Sequence, residues 1–431
     1  LLRYGEFELV KGGTTVSGCA KNALPACILH KDEMRQFSPE ALRLALITAE
    51  VRAVILTLQQ TDGLSSLSGF ASGSIPMRSI LFVAILAVGC SSQPVTSPLE
   101  QRTIMQESPV DGVKFRYIES NGIRMRIAES GQAGPLVLFA HGWPESWYSW
   151  RHQIPVLAEA GFRVVVPEMR GYGQTDAPEP VADYDIEHLA ADMVGILDAL
   201  GEDTATIVGH DWGAPVAAHS ALKYPTRFTS LVLMSVPYGG RGTASPMQRM
   251  RSQFDDNFFY ILYHNEPGGV AEAEYDSDPR GILSRLYLSP DSPRKAPTVT
   301  DPKRAAGGWI PRLGEAEGLP GWLTEADLDY YVEQFEQSGF RGGVNYYRNI
   351  ERNWNITEDI TDHRIMVPTL FLTGEKDVVI GGATKAMLQA MMAQSIPNLR
   401  DVILIPSIGH WVQQEAPAET NKALLDFLGS L

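Results

Sequence analysis

The chain is poor in cysteine. Its 431 residues hold three, Cys19, Cys27 and Cys90. None lies beyond residue 90, so the rest of the chain has no disulfide and no thiolate metal site. Nine histidines form no H-E-x-x-H or related spacing, which gives no indication of zinc. Positive charge is also short: 36 Lys and Arg stand against 51 Asp and Glu, for a net charge of -15. Residues 1–76 balance to zero, so the acidity lies downstream and argues against nucleic acid and anionic lipid as partners of that body. The apolar run Ile80 to Val88 is far short of the roughly 20 residues that span a bilayer. No internal repeat is visible. Composition, at 44% hydrophobic and 20% charged, is ordinary for a globular protein.

The chain begins with Leu, and Met77 has the marks of a start. Arg78 and Ser79 follow it, then the apolar run, then Gly89-Cys90-Ser91-Ser92. The order of basic start, short apolar core and small residue describes a secretory signal. Leu86-Ala87-Val88-Gly89-Cys90 resembles the lipobox of bacterial lipoproteins, although Ala87 stands where Leu is commoner. The resemblance implies that residues 77–89 are removed and that Cys90 is lipidated. The protein would then be exported and anchored at the bacterial cell envelope, touching the membrane only through that lipid. Residues 1–76 read as an upstream extension of unknown role. Residues 90–111, rich in Pro, Ser and Gln, read as a tether.

From residue 112 the pattern is regular. Val113 to Glu119 and Ile123 to Ala128 are predicted strands turned at Ser120-Asn121-Gly122. Leu136 to Ala140 reads as a buried strand, Trp147 to Ala160 as a helix, and Arg163 to Val166 as a strand. Ile186 to Leu200 is a helix with Asp185 near its start and Gly201 at its end. Thr206 to Val208, a helix from Ala214 to Lys223, and the strand Ser230 to Val236 follow. Pro368 to Leu372, Ala383 to Gln394, Val402 to Ile405 and Pro417 to Leu428 resume the alternation. This predicts an α/β fold with a mostly parallel sheet and helices on both faces, with its core in 112–237 and 368–431. Residues 238–367 are rich in aromatics, Gly and Pro and too long for a loop, so they read as an inserted helical cap.

The most informative stretch is Gly209-His210-Asp211-Trp212-Gly213, placed between a strand and a helix. A strand, a Gly-x-nucleophile-x-Gly turn and a helix make the nucleophile elbow of the α/β-hydrolase fold. The usual nucleophile is Ser. Asp211 in its place is a weak acyl nucleophile, but its carboxylate displaces a leaving group from saturated carbon and leaves an ester that water must open. His141-Gly142-Trp143-Pro144 follows the predicted strand 136–140. Its loop is expected to give one backbone N–H of an oxyanion hole, from Trp143, with the other from Trp212. His410, after the last strand, suits the base, and Asp377 its orienting acid, with Glu375 a competitor. Among the 15 tyrosines, Phe258 to Tyr263 and Asn345 to Asn349 stand out without the pattern alone choosing between their members. His141, Pro144 and Trp147 are candidates for the pocket wall.

From Asp111 onward the chain resembles the soluble-type epoxide hydrolases of this fold. The resemblance rests on His141 through Trp150, the 209–213 run, Glu266-Pro267-Gly268, Ser338 to Gly342, Asn345 through Trp354, and Gly409-His410-Trp411. It implies that two cap tyrosines hold the epoxide oxygen, and it carries those roles onto Tyr260 and Tyr347, with Tyr263 and Tyr346 as neighbours. It implies an epoxide as substrate, a vicinal diol as product, and no metal or organic cofactor; the aromatics Trp143, Trp147, Tyr172 and Phe258 suggest that the epoxide is small and apolar. Glu168 departs from the family's usual Asp, which bears on loop structure. Residues 1–76 are too short for the phosphatase-type domain of the mammalian soluble enzymes. A haloalkane-type dehalogenase is the nearest alternative, sharing the Asp, but Trp143 and Trp212 replace its usual loop Asn and Arg. A non-catalytic ligand-binding lipoprotein on this scaffold is a third reading. The sequence is silent on oligomeric state.

Overall fold

The computed structural model describes residues 108–431. The signal, Cys90 and the extension 1–76 lie outside the described residues, as does most of the tether. Eight strands form one sheet in the order β1-β2-β4-β3-β5-β6-β7-β8. They are β1 (Lys114–Ser120), β2 (Ile123–Ser130), β3 (Leu136–Ala140), β4 (Arg163–Pro167), β5 (Ala205–His210), β6 (Phe228–Met234), β7 (Thr369–Gly374) and β8 (Leu399–Ile405). β1, β2 and β4 pair antiparallel, and the pairs from β4 through β3 to β8 are parallel. This is the mostly parallel sheet that the alternation predicted, in the α/β-hydrolase fold that the 209–213 turn pointed to.

Local chemistry sets these elements. Ser120 pairs with Ile123 across a two-residue turn, with Asn121 at φ 46° and Gly122 at φ 77°. Asn-Gly is the favoured pair for such a turn, because both positions need positive φ. β3 sends Leu136, Leu138 and Ala140 into one buried cluster and Val137 and Phe139 into another, so both faces of the strand are covered. The helix Ile186–Leu200 is capped by the Asp185 side chain, which accepts from the His188 N–H, and ends at Gly201 with φ 70°. The helix expected over 147–160 is broken. A 3₁₀ turn, Trp147–Trp150, precedes a short helix, Ile154–Glu159, which carries Pro155 in its first turn. Proline suits a helix start and not a helix interior.

Between β6 and β7 the chain leaves the sheet for seven α-helices, among them Tyr260–His264, Glu325–Ser338 and Arg341–Arg348. Thr324 and Asp327 close a capping box at the start of Glu325–Ser338. No described helix is long and apolar enough to cross a membrane.

The chain passes from β3 to β4 on one side and returns to β5 on the other. The carboxyl ends of β3 and β5 therefore flank a switch point, where open α/β sheets hold their ligands. Ala140 lies level with Gly209, His210 with Met234, and Gly374 with Ile405. The loops after β3, β5, β7 and β8 consequently leave the sheet along one edge.

Glu168 closes the loop after β4. Its carboxylate accepts from Arg126 Nη1 at 2.6 Å and from the Gln174 N–H at 2.6 Å, and both charged side chains are buried. Burial pushes the Glu168 carboxyl above its usual range, and Arg126 pulls it back only in part. Glu168→Gln is expected to destabilise the fold by about 3–5 kcal/mol, because it leaves Arg126 buried without its counter-charge. A double Arg126→Met, Glu168→Leu variant should recover most of that loss. Urea midpoints at constant slope measure both.

Candidate active site

The turn after β5 is crowded from three sides. A Cβ on Gly209 would sit 2.0 Å from the Gly213 carbonyl oxygen, and one on Gly213 would sit 2.0 Å from that of Ala140. Only glycine fits at either position. Asp211 between them is held at φ 49°, a conformation that costs a non-glycine residue energy and that the surrounding packing maintains. The loop after β3 presses on it. A Cβ on Gly142 would meet Asp211 Oδ1 at 2.5 Å. The same closeness lets the Trp143 N–H donate to Asp211 Oδ1 at 2.7 Å. Trp212, the other expected donor, caps the helix Gly213–Lys223, and its N–H is not hydrogen-bonded to that carboxylate.

His410 lies across from Asp211, with Nε2 at 3.5 Å from Oδ2. Its Nδ1 is 3.0 and 3.1 Å from the two carboxylate oxygens of Asp377. Asp377 is fixed in turn by the Val379 N–H at 2.9 Å and the Thr373 hydroxyl at 3.1 Å. Burial works against a charged Asp377, but His410 and these hydrogen bonds outweigh it and bring the carboxyl down to about 2. Burial also works against an imidazolium at His410. Asp377 first, then Asp211, overcome it and hold the ring well above the usual histidine range. Glu375 is exposed and accepts from the Ser407 N–H at 3.2 Å, so of the two acids Asp377 meets the histidine.

Tyr260 and Tyr347 reach the same place from the helices Tyr260–His264 and Arg341–Arg348. Their ring centroids are 5.8 Å apart. Tyr260 stacks on Trp309 at 4.8 Å, and Tyr347 stands edge-on to Trp212 at 5.1 Å and to His264 at 4.4 Å. Burial, with the Asp211 charge next, pushes both hydroxyls above the usual phenol range, so they stay protonated and able to donate. The neighbouring tyrosines point away. The Tyr346 hydroxyl donates to the Arg170 carbonyl at 3.1 Å, and Tyr263 lines a separate cleft with Glu266 and Arg304. One cavity of about 290 Å³ is lined by Asp211, His410, Tyr260, Tyr347, Trp143 and Pro144 together.

Two residues expected on the pocket wall are elsewhere. Trp147 is fully buried in the core on β3's other face, edge-on to Phe115 at 4.9 Å, with its indole N–H on the Tyr330 hydroxyl at 2.8 Å. A large apolar ring beside the motif serves packing here. His141 is buried behind the loop. Its Nε2 accepts from the Met169 N–H at 3.1 Å and its Nδ1 faces the Gly142 carbonyl at 3.0 Å. Burial lowers it to about 4, which keeps it neutral and structural at pH 7.

Sequence reasoning missed a buried network behind Asp211. Glu145 accepts from the Gly142 N–H at 2.7 Å, from His210 Nδ1 at 2.8 Å and from Gln413 Nε2 at 2.7 Å. His210 Nε2 faces the His410 carbonyl oxygen at 2.8 Å. Burial alone would raise the Glu145 carboxyl, but His210 and these donors bring it below the usual range. The signal was available: each of these residues is within three positions of a motif residue.

The family described as alpha/beta hydrolase fold matches residues 135–417. The chain is 43% identical over 319 residues to epoxide hydrolase A of Mycobacterium tuberculosis, covering 73% of this chain and 97% of that protein. It is 38% identical to epoxide hydrolase 1 of Siraitia grosvenorii, covering 74% and 99%. Among solved structures, epoxide hydrolase A from Mycobacterium thermoresistibile superposes with a TM-score of 0.66 at 43% identity, covering 74% and 98%. An epoxide hydrolase from an endophytic Streptomyces superposes with 0.67 at 38%, covering 74% and 96%. With a matching fold and relatives covered over nearly their whole length, the chain belongs to the epoxide hydrolases of the α/β-hydrolase fold.

Proposed function

We propose that this enzyme opens an epoxide to a vicinal diol in two steps through an ester on Asp211. The observation that carries the reading is the meeting of Asp211, His410 and a tyrosine pair in one cavity. Asp211 Oδ1 is engaged by the Trp143 N–H, so Oδ2, which faces His410 Nε2 at 3.5 Å, is the oxygen that attacks an epoxide carbon. Tyr260 and Tyr347 donate to the ring oxygen, and one of them protonates it as the C–O bond breaks. Alkylation removes the Asp211 charge, one of the two that hold the His410 proton. His410 then releases that proton, which replaces the one given by tyrosine, and becomes a base. It deprotonates a water that attacks the Asp211 carbonyl carbon, while Asp377 steadies the imidazolium. The Trp143 N–H, joined by that of Trp212, stabilises the charge that builds on Oδ1. Residues 238–367 act as the cap of this site, since both tyrosines come from them. On the sequence of residues 77–90, we further propose export and lipid attachment at Cys90; a fatty-acid label lost in Cys90→Ala tests it.

His410→Gln should still be alkylated but should not release product. Mass spectrometry of a peptide containing Asp211 is expected to show the substrate adduct, and an unmodified peptide after prolonged incubation would count against the ester. In a single turnover in heavy-oxygen water, the first diol should be unlabelled and Asp211 should gain the label. Direct entry of solvent oxygen into that diol would overturn the mechanism.

Tyr260→Phe and Tyr347→Phe should each slow alkylation. The double variant should lose on the order of 10²–10⁴-fold, the usual worth of a general acid. Pre-steady-state quenching of tryptophan emission follows that step.

Asp377 also predicts a pH dependence of stability. Its folded pKa lies at about 2, below the ordinary 3.8, so its contribution is present above pH 3.8 and is lost as pH falls through about 2. The stability advantage of wild type over Asp377→Asn should therefore shrink across that window in acid melts.

A further inference from the structure

The two tyrosines that line the Asp211 cavity sit on different helices, Tyr260–His264 and Arg341–Arg348, so their spacing is set by how those helices meet. Arg348 stands at the meeting. It ends the helix that carries Tyr347, and its Nε donates at 3.1 Å to the carbonyl of His264, which ends the helix that carries Tyr260. Asn265 answers from the other side. Its side-chain amide donates to the Tyr347 carbonyl at 3.3 Å and to the Ile261 carbonyl at 2.9 Å. Both cross-links end on carbonyls near a helix C-terminus, where the helix itself leaves acceptors open. A cation there also offsets the partial negative charge of the two helix ends. The guanidinium is locked in turn. Nη1 and Nη2 donate to the two carboxylate oxygens of Glu272 at 2.7 and 2.6 Å, and Nη1 also donates to Asn345 Oδ1 at 3.0 Å. Glu272 belongs to a third cap helix, Val270–Ser277. Four of the five N–H groups of Arg348 are thus used, in a planar fork that a lysine ammonium cannot reproduce. The pair is mostly shielded, with 16% of the Arg348 side chain and 13% of that of Glu272 exposed, so it holds its geometry better than a surface ion pair would. Arg348 does not itself line the Asp211 cavity.

We infer that Arg348 is a positioning residue: by joining the ends of the two tyrosine helices, with Glu272 orienting its fork, it fixes Tyr260 and Tyr347 at the separation at which both hydroxyls reach one epoxide oxygen. The inference rests on the epoxide-opening reading above and deepens it. Two donors must converge on a single atom, and a misplacement of about 1 Å costs on the order of 10²-fold in rate. Ring opening draws on both hydroxyls. Hydrolysis of the Asp211 ester draws instead on His410 and the backbone N–H groups beside Asp211. The brace therefore bears on the first step and leaves the second alone.

The test measures the two steps separately on styrene oxide. Rapid quench and mass spectrometry follow the growth of the Asp211 adduct for alkylation and its decay for ester hydrolysis. Arg348→Lys keeps the charge and loses the fork. It should slow alkylation by about 10- to 100-fold and hydrolysis by less than about twofold. Glu272→Gln leaves the bond to His264 in place and should slow alkylation by a smaller factor; it carries the test if the lysine variant does not fold. In a Tyr260→Phe, Tyr347→Phe background neither substitution should slow alkylation further, because no hydroxyl is left to place. Alkylation within about twofold of wild type in the folded variant, equal slowing of both steps, or the same slowing with and without the tyrosine hydroxyls overturns the inference. Absence of an Asp211 adduct in both wild type and His410→Gln, or alkylation at the wild-type rate by the double phenylalanine variant, overturns the epoxide-opening reading instead.

Discussion

The site depends on one steric constraint: backbone meets backbone at the turn after β5 with no room for a Cβ. Glycine at 209 and 213 lets strand, helix and the loop after β3 approach to contact, and Asp211 has to take a left-handed conformation between them. Because the turn cannot relax, the Asp211 carboxylate is presented at the sheet edge in one orientation. Because the β3 loop is pressed against it, a backbone N–H lies within hydrogen-bond distance of Oδ1 before any substrate arrives. Placement of this kind needs no reorganisation when charge develops, which is the main source of its catalytic value.

Much of this was legible in the sequence because it rests on local rules. The turn at Asn121-Gly122, the capped helix Ile186–Leu200 and the elbow each announce themselves in a few adjacent residues with fixed stereochemistry. Asp377 over Glu375 and His410 among nine histidines were legible from position after a strand, since parallel strands deliver their following loops to one edge. What local pattern could not settle was side-chain direction. Trp147 and His141 sit inside the motif and turn into the core, away from the cavity. The tyrosine choice needed resemblance because adjacent helical positions point about 100° apart, and only the packed structure shows that Tyr346 faces Arg170 while Tyr347 lines the cavity with Asp211.

The Glu145 network shows a second limit of sequence reading. Glu145 comes from the β3 loop, His210 from the end of β5, and Gln413 and the His410 carbonyl from the segment after β8. No residue of the set is unusual alone. Together they tie three of the four loops that carry the site to a single buried carboxylate, out of contact with solvent. The low dielectric that makes such a network costly if half-satisfied also makes it stiff when complete. Asp211 and His410, far apart in sequence, are thus referenced to a common anchor.

The aromatic lining has a consequence of its own. Trp143 donates its backbone N–H to Asp211 while its indole stacks near Trp309 at 5.7 Å, and Trp309 in turn lies flat against Tyr260. Three of the chain's eight tryptophans, Trp143, Trp309 and Trp411, line the cavity. An indole thus stands directly against the space that a substrate fills. The enzyme carries a native optical reporter at its centre, and its intrinsic light is expected to follow the filling and emptying of the chamber without an added dye.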